Sequence, residues 1–313
     1  MKYMFFLSGD NVELAKEEAL AVADAKSFEL YERILVADCR KFNFERLAFT
    51  HKVYRLVFVS DEKHLEDSLK RTKWQRFYKD NFRVRTKFTD YPERKIAAFV
   101  WDGLKNPKVK MENPTTKIDL YFQGGKYICG IEVADIEKTY MERRPHLRPG
   151  FHPSSMNPKL ARACVNLSSI KKGQTLYDPF CGTGGMLIEA GLMGCKLIGS
   201  DISRKMLWFA NKNMKSYKMK PKIFEADATK IKFKCDAIVT DPPYGIMSSL
   251  HKREKIGLYE EFLGNAHRQL KKGQKLVFVL PSTTKFKTKF KILKALDQYV
   301  HGSLTRRIYV MSK

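Results

Sequence analysis

Between residues 159 and 282 the chain alternates, with one exception, between two kinds of segment. Helical "KLARACVNLSSI" is followed by apolar "QTLYDPF", helical "GMLIEAGLM", apolar "KLIGSDI" and helical "RKMLWFANKNMKSY". Then come "PKIFEAD" and "CDAIVTDPPY", helical "LYEEFLGNAHRQLKKG", and apolar "KLVFVLPS". Short apolar runs without alternation read as strands buried on both faces. Connections long enough to hold a helix make such strands parallel and put helices on both faces of their sheet. The α/β class is therefore expected here, with a mostly parallel, Rossmann-like sheet. Four acids fall at the ends of these strands: Asp178, Asp201, Asp227 and Asp241. Ligands of open α/β sheets bind outside the carboxyl ends of the strands. An aspartate after a strand also caps a helix, but four in register point to a site.

The first of these ends reads "TLYDPFCGTGGMLIEAG". Gly182, Gly184 and Gly185 let backbone approach a ligand closely. A dinucleotide fingerprint needs G-x-G-x-x-G, and Leu187 stands where its third glycine would be. Asp178 would repel a pyrophosphate and attract a cationic sulfonium. The expected cofactor is thus S-adenosylmethionine, with Asp201 accepting from its ribose hydroxyls and Asp227 from its adenine amine. No metal is expected.

The fourth end reads "AIVTDPPYGIM". Its prolines freeze φ near about −65°, which fixes the Asp241 carboxylate and the Pro242 carbonyl as two acceptors. An exocyclic base amine is a poor nucleophile because its lone pair is delocalised into the ring. Two acceptors gripping its hydrogens favour a pyramidal nitrogen with the lone pair free to attack. Tyr244 offers a ring on which a flipped base can stack. Taken alone, "DPPYG" is equally a rigid loop.

Composition says what the partner is. The formal net charge is +25 and the pI about 9.7. A polyanion explains that excess through neutralised phosphates and released counterions; a merely solvated lysine-rich surface is the alternative. Residues 1–150 carry 29 Lys and Arg against 23 Asp and Glu, and residues 151–313 carry 30 against 11. The basic half is the one with the strand-end acids. The six cysteines include no C-x-x-C pair, which argues against a zinc site and for a reducing compartment. The start, "MKYMFFLSGDNVELAKEEAL", resembles neither a signal nor a transit peptide, and no run approaches ~20 apolar residues. A cytoplasmic protein without a membrane contact is expected.

The front half is patterned differently. "KYMFFLSG" reads as a strand, with Asp10 or Asn11 capping a helix over "VELAKEEALAVADA". A helix is expected over 64–79, "HLEDSLKRTKWQRFYK", then a strand "NFRVRTKF". "KIDLYFQGGKYICGIEV" is expected to be a hairpin turning at Gly124–Gly125. Lys70, Arg71, Lys73, Arg76, Arg83, Arg85 and Lys87, interleaved with aromatics, are the RNA-contact candidates. Trp74 and Phe77 are expected to pack inward. The polar, proline-bearing 138–155 reads as a linker or wrapping loop. The boundaries are then 1–58, 59–137, a linker at 138–155, and 156–313. Basic clusters at 204–222 and 285–294 suit either a phosphate rail or a solvated face.

"DPFCGTGG" and "DPPY" together resemble the amino-methyltransferases that act on nucleobase amines. "NFRVRTKF" with "KIDLYFQGGKYICGIEV" resembles a THUMP RNA-binding module, preceded by what resembles its ferredoxin-like companion. "RPHLRPGFHPSSMNPKLARACVNLS" resembles the entry to the catalytic domain of THUMP-containing tRNA guanine-N2 methyltransferases, of the archaeal type acting on guanosine 10. That resemblance implies a class I methyltransferase fold with a seven-stranded sheet. It assigns the amine-gripping and stacking roles to Asp241, Pro242, Pro243 and Tyr244. Cofactor roles go to Asp178, Pro179, Gly182, Gly184, Asp201, Ile202, Asp227 and Ala228. His152, Pro153 and Ser155 fall in the segment that folds over the cofactor's methionine end. The family often has a bulky residue where Gly150 stands. The implied partner is tRNA and not DNA, and eukaryotic relatives use a small activating subunit. Guanosine 6 of tRNA, or an rRNA guanine, is the alternative target. A non-catalytic tRNA-binding protein with a relic fold is the alternative class.

Overall fold

The structure, a computed structural model, describes residues 1–40, 42–137, 139–243, 249–302 and 304–313, with the side chains of 249–255 left out of that description. Two units result: Met1–Glu45 with Phe49–Glu137, and Arg46–Ala48 with Lys138–Lys313.

The first unit runs β1 (Lys2–Leu7), α1 (Val12–Ala23), β2 (Ser27–Tyr31), β3 (Ile34–Asp38), β4 (Thr50–Ser60), α2 (Leu65–Arg71), β5 (Phe82–Lys87), α3 (Glu93–Asp102), β6 (Thr116–Gln123) and β7 (Lys126–Asp135). Its strands form one sheet in the order β2-β3-β1-β4-β7-β6-β5. Asn11 caps α1, its side chain accepting from the Leu14 amide at 3.0 Å. The β6–β7 hairpin turns at Gly124 and Gly125 with φ of 57° and 72°. Both central residues of a type I′ turn need positive φ, and glycine supplies it without strain. The boundary expected at 58/59 falls inside β4, which pairs with β1 on one edge and β7 on the other. Residues 1–58 and 59–137 therefore contribute to a single sheet.

The helix expected over 64–79 is shorter than the sequence reading. α2 stops at Arg71, Thr72 is extended at ψ 123°, and Trp74–Arg76 form a separate 3-10 turn. Burial explains the break. Trp74 is 1% exposed and packs with Leu65, Leu69, Ile96 and Val100 against Phe82 and Val84. Its indole nitrogen donates to the Leu69 carbonyl at 3.0 Å. Continuing the helix would carry that ring off the core, so tertiary packing overrides helical propensity.

The second unit runs α4 (Pro158–Leu167), β8 (Thr175–Asp178), α5 (Gly185–Leu192), β9 (Lys196–Asp201), α6 (Arg204–Ser216), β10 (Lys222–Glu225), β11 (Ala237–Thr240), α7 (Ser249–Gln269), β12 (Lys275–Pro281), β13 (Lys291–His301) and β14 (Leu304–Ser312). The sheet order is β10-β9-β8-β11-β12-β14-β13, parallel except for β14, which runs against both its neighbours. The seven-stranded, mostly parallel sheet is as expected. β11 and β12 sink into a core with Phe262, Leu263, Phe278 and Tyr259.

Of the two readings of the proline-bearing stretch, a linker or a wrapping loop, residues 139–155 take the second. They belong to the second unit and are strapped across it. The Arg143 guanidinium holds the Glu189 carboxylate of α5 at 3.0 and 3.3 Å, and Arg162 Nε meets the same carboxylate at 2.8 Å. The Gly150 amide donates to Asn213 Oδ1, while Asn213 Nδ2 donates to the Gly150 and Thr183 carbonyls, each at 2.8 Å. A Cβ on Gly150 would stand 2.5 Å from the Phe209 carbonyl oxygen. Glycine is what lets the strap lie on the backbone of α6.

Candidate active site

β8 and β11 are neighbours, but the chain leaves β8 toward β9 on one side and β11 toward β12 on the other. This is the switch point of the sheet, where the connecting loops part and leave room for a ligand. A cavity of about 380 Å³ opens there. Its lining includes Asp178, Asp201, Asp227 and Asp241, and among the described lining residues there is no lysine, arginine or histidine.

Asp178 ends β8 and is 2% exposed. Its Oδ1 accepts from the Thr240 hydroxyl at 2.6 Å, which ties β8 to β11, and from the Phe180 amide at 3.2 Å. Burial raises its pKa to about 7, with Asp201 and Asp241 adding to the shift against those two hydrogen bonds. A cation entering the cavity would restore the charged form.

Gly182 follows at φ 51°, and a Cβ there would meet nothing within 4 Å. Its amide donates to Asp201 Oδ2 at 2.9 Å, and the Ser203 amide donates to Asp201 Oδ1 at 2.9 Å. Asp227 Oδ1 accepts from the Thr229 amide and hydroxyl at 2.9 and 2.8 Å, which holds its carboxyl below the usual range. Both acids therefore organise their own loops, as capping aspartates do. Each also lines the cavity and keeps further lone pairs for a ligand.

Pro179, Ile202, Ala228 and Ser155 also line the cavity. Ser155 reaches it because its hydroxyl meets that of Thr183 at 2.9 Å. Three expected residues, Gly184, His152 and Pro153, do not line it. Gly184 caps α5 at φ 83°, and a Cβ there would stand 2.7 Å from Met214 Cε, so this glycine serves the turn. His152 turns its Nδ1 to the Ser154 hydroxyl at 2.7 Å. The sequence reading missed the apolar wall: Met156, Met186, Met206 and Leu258. Met206 lies one turn into α6 after the Ser203 cap, a spacing that could have flagged it.

At the far side stand Asp241 and Pro243, with Pro242 buried beside them. The Tyr259 hydroxyl donates to the Pro243 carbonyl at 2.8 Å, and burial pushes that phenol up to about 12, helped by Asp241. Arg306 Nη2 lies 3.5 Å from Asp241 Oδ2. Tyr244 lies outside the described residues.

A donor-poor, acid-rimmed cavity with apolar walls suits a cationic, hydroxyl-bearing ligand and not a phosphorylated one. S-adenosylmethionine fits on charge. The acids can receive its sulfonium, ribose diol and adenine amine, and the open space beside Gly182 is a cradle that side chains leave clear. Among the described residues, no group of three or more His, Cys, Asp and Glu side chains could hold a metal ion, and no helix is long and apolar enough to cross a membrane.

The RNA-contact candidates split between two faces of the first unit. Phe82 and Val84 of β5 join the core under α2 and α3, so Arg83, Arg85 and Lys87 alternate to the opposite face. Arg85 there pairs with Glu93 at 2.8 Å. Lys70, Arg71, Lys73 and Arg76 stay on the helical side, all exposed, and the last three line a shallow groove with Phe58 and Phe77.

Residues 145–306 match a family described as an RMKL-like methyltransferase domain. A second family, described as a DNA methylase, matches over residues 3–212, a span that ends before Asp241. The tRNA (guanine(10)-N2)-dimethyltransferase of Methanothermobacter thermautotrophicus is 33% identical, with 100% of each chain covered. That of Pyrococcus abyssi is 32% identical over 96% of each. Among solved structures, TrmN from Thermus thermophilus superimposes with a TM-score of 0.52 at 19% identity, covering 100% of both chains; at that identity the likeness speaks for the fold alone.

Proposed function

Because the chain belongs to the family of the tRNA (guanine(10)-N2)-dimethyltransferases, we propose that it transfers methyl groups from S-adenosylmethionine to the exocyclic N2 amine of guanosine 10 in tRNA. The observation that carries this reading is the meeting of four strand-end acids around one cavity that, among the described residues, no basic side chain lines. When bound, the cofactor supplies an electrophilic methyl whose bond to sulfur breaks with its electron pair left on sulfur.

The chain's own residues do the rest. Asp201 and Asp227 accept from the ribose and the adenine amine with the lone pairs that their loops leave unused. Asp178 offers negative charge in a buried setting, where it acts strongly on a cation. The Asp241 carboxylate and the Pro242 carbonyl grip the two hydrogens of the guanine amine, since the Pro243 carbonyl already accepts from Tyr259. The prolines hold these acceptors still, so little reorganisation is needed when the nitrogen attacks. The proton that the nitrogen sheds passes to the Asp241 carboxylate and then to water. Tyr244, next in the chain, stacks on the flipped base. Two rounds, as in the relatives' name, require the mono-methylated amine to turn and present its remaining hydrogen beside fresh cofactor.

The first unit is the tRNA grip in this reading, a ferredoxin-like segment followed by a THUMP module, while the larger share of the +25 net charge lies in the second half, where it favours the same polyanion. The test is mass spectrometry of tRNA transcript nucleosides after incubation with methyl-labelled cofactor, followed by site mapping. N2-methylguanosine and N2,N2-dimethylguanosine at position 10 are expected. Label on an adenine or cytosine amine, or at another guanosine, would overturn the assignment.

A further inference from the structure

We propose that Arg306 is a positioning residue for methyl transfer, one that acts through Asp241 by holding its carboxylate in the ionised form. The inference rests on the guanosine-N2 reading above and extends it to a residue far away in sequence. β14 runs against the other strands of its sheet, so its first residues emerge at the end where β11 and β12 finish. Arg306 sits opposite Pro281, and the next hydrogen bond, from the Ser282 amide to the Thr305 carbonyl at 2.8 Å, fixes that register. The topology thus delivers a guanidinium behind the Asp241 loop.

Both side chains are mostly withdrawn from water, at 10% exposed for Arg306 and 15% for Asp241, with Nη2 and Oδ2 3.5 Å apart. Desolvated charges of opposite sign hold each other firmly, and removing one leaves the other strongly disfavoured. Asp241 needs such a partner. Asp178 at the end of β8 and Asp201 at the end of β9 line the same cavity, and like charges favour proton uptake. From α7 the Tyr259 hydroxyl faces the loop but is spent on the Pro243 carbonyl. A protonated Asp241 would present an O–H where the amine needs an acceptor. Arg306, on Oδ2, favours the form that can accept.

Two variants test this, Arg306→Gln and Arg306→Lys. The carboxyl titration of Asp241 is followed by carbon NMR of the full-length chain, and single-turnover methyl transfer to tRNA transcript is measured from about pH 5.5 to 9. In Arg306→Gln the Asp241 midpoint is expected to rise by about one pH unit or more. The acid limb of the rate profile should move with it, while the rate near pH 9 stays within about threefold and the affinity for S-adenosylhomocysteine within about twofold. Arg306→Lys should restore the midpoint. An unchanged Asp241 midpoint in Arg306→Gln, or a rate lowered equally at every pH, would overturn the proposal. The titration does not depend on which base is methylated. A wild-type chain that leaves guanosine untouched therefore sinks the functional reading, while the titration still decides the role of Arg306.

Discussion

Replacing Glu189 by glutamine should loosen the second unit and, through the strap, its cavity. Glu189 is fully buried on α5 and its single carboxylate receives two guanidinium groups, from Arg143 and Arg162, which are 12% and 10% exposed. Glutamine keeps the shape and one acceptor but loses the charge. Removing one partner of a buried ion pair costs about 3–5 kcal/mol, because the other charge stays buried uncompensated. The retained acceptor argues for the lower end, about 3 kcal/mol. For a unit of this size each kcal/mol moves Tm by about 2–4 °C, so Glu189→Gln should melt about 6–12 °C lower. Calorimetry resolves this if the two units melt separately, and only the second transition should move. The strap also carries Ser154 and Ser155, which line the cavity, so affinity for S-adenosylhomocysteine should fall as well. Arg143→Ala, which leaves Arg162 on Glu189, should cost less. A Tm within about 2 °C of wild type for Glu189→Gln would refute the view that this carboxylate anchors the strap.

The remaining predictions concern pH, packing and RNA. Asp178 has a folded-state pKa of about 7 against an ordinary value of 3.8, so its contribution to stability is complete below about pH 4 and fades as pH rises through 7. Melting of the ligand-free chain between pH 5 and 8 should show this decline, and Asp178→Asn should flatten it. In the same window, affinity for S-adenosylmethionine should rise relative to S-adenosylhomocysteine, whose sulfur is uncharged. Gly150→Ala puts a Cβ 2.5 Å from a helix carbonyl, where overpacking costs about 1–3 kcal/mol; calorimetric titration should find weaker cofactor binding, and unchanged binding would mean that the strap lifts freely. Arg71→Ala with Arg76→Ala removes two exposed charges beside the Phe58 and Phe77 groove and should lower the slope of log affinity for tRNA against log salt by about 1.5. Arg83→Ala with Arg85→Ala, on the other face, should change that slope less.

What the sequence made legible is what local pattern controls. The apolar runs of β8, β11 and β12 are buried strands because almost nothing polar interrupts them, and the acids that follow the strands could be placed at their carboxyl ends before any coordinates. The Gly124–Gly125 hairpin was equally local. β13 was hidden because it is an edge strand. Its exposed residues include Lys291, Lys294 and Asp297, and only Leu296 of its eleven residues is buried, so the period that betrays a strand is absent and lysines protect the edge. Without β13 and β14 there was no way to bring Arg306 to Asp241, 65 positions earlier in the numbering. The helix over 64–79 failed for the opposite reason: its pattern was helical, but the Trp74 ring is worth more in the core. Gly184 and His152 were assigned by their neighbourhood in sequence, while the turn of α5 and the Ser154 hydroxyl decided where they point.

The account turns on the Asp241 carboxylate as the acceptor that grips the base amine. Its most direct test is the single-turnover rate of methyl transfer to tRNA by Asp241→Ala, measured beside the dissociation constant for S-adenosylhomocysteine. Loss of a fixed acceptor in the transition state should slow transfer by about 10²–10³-fold with cofactor affinity nearly intact. Transfer at the wild-type rate would contradict it.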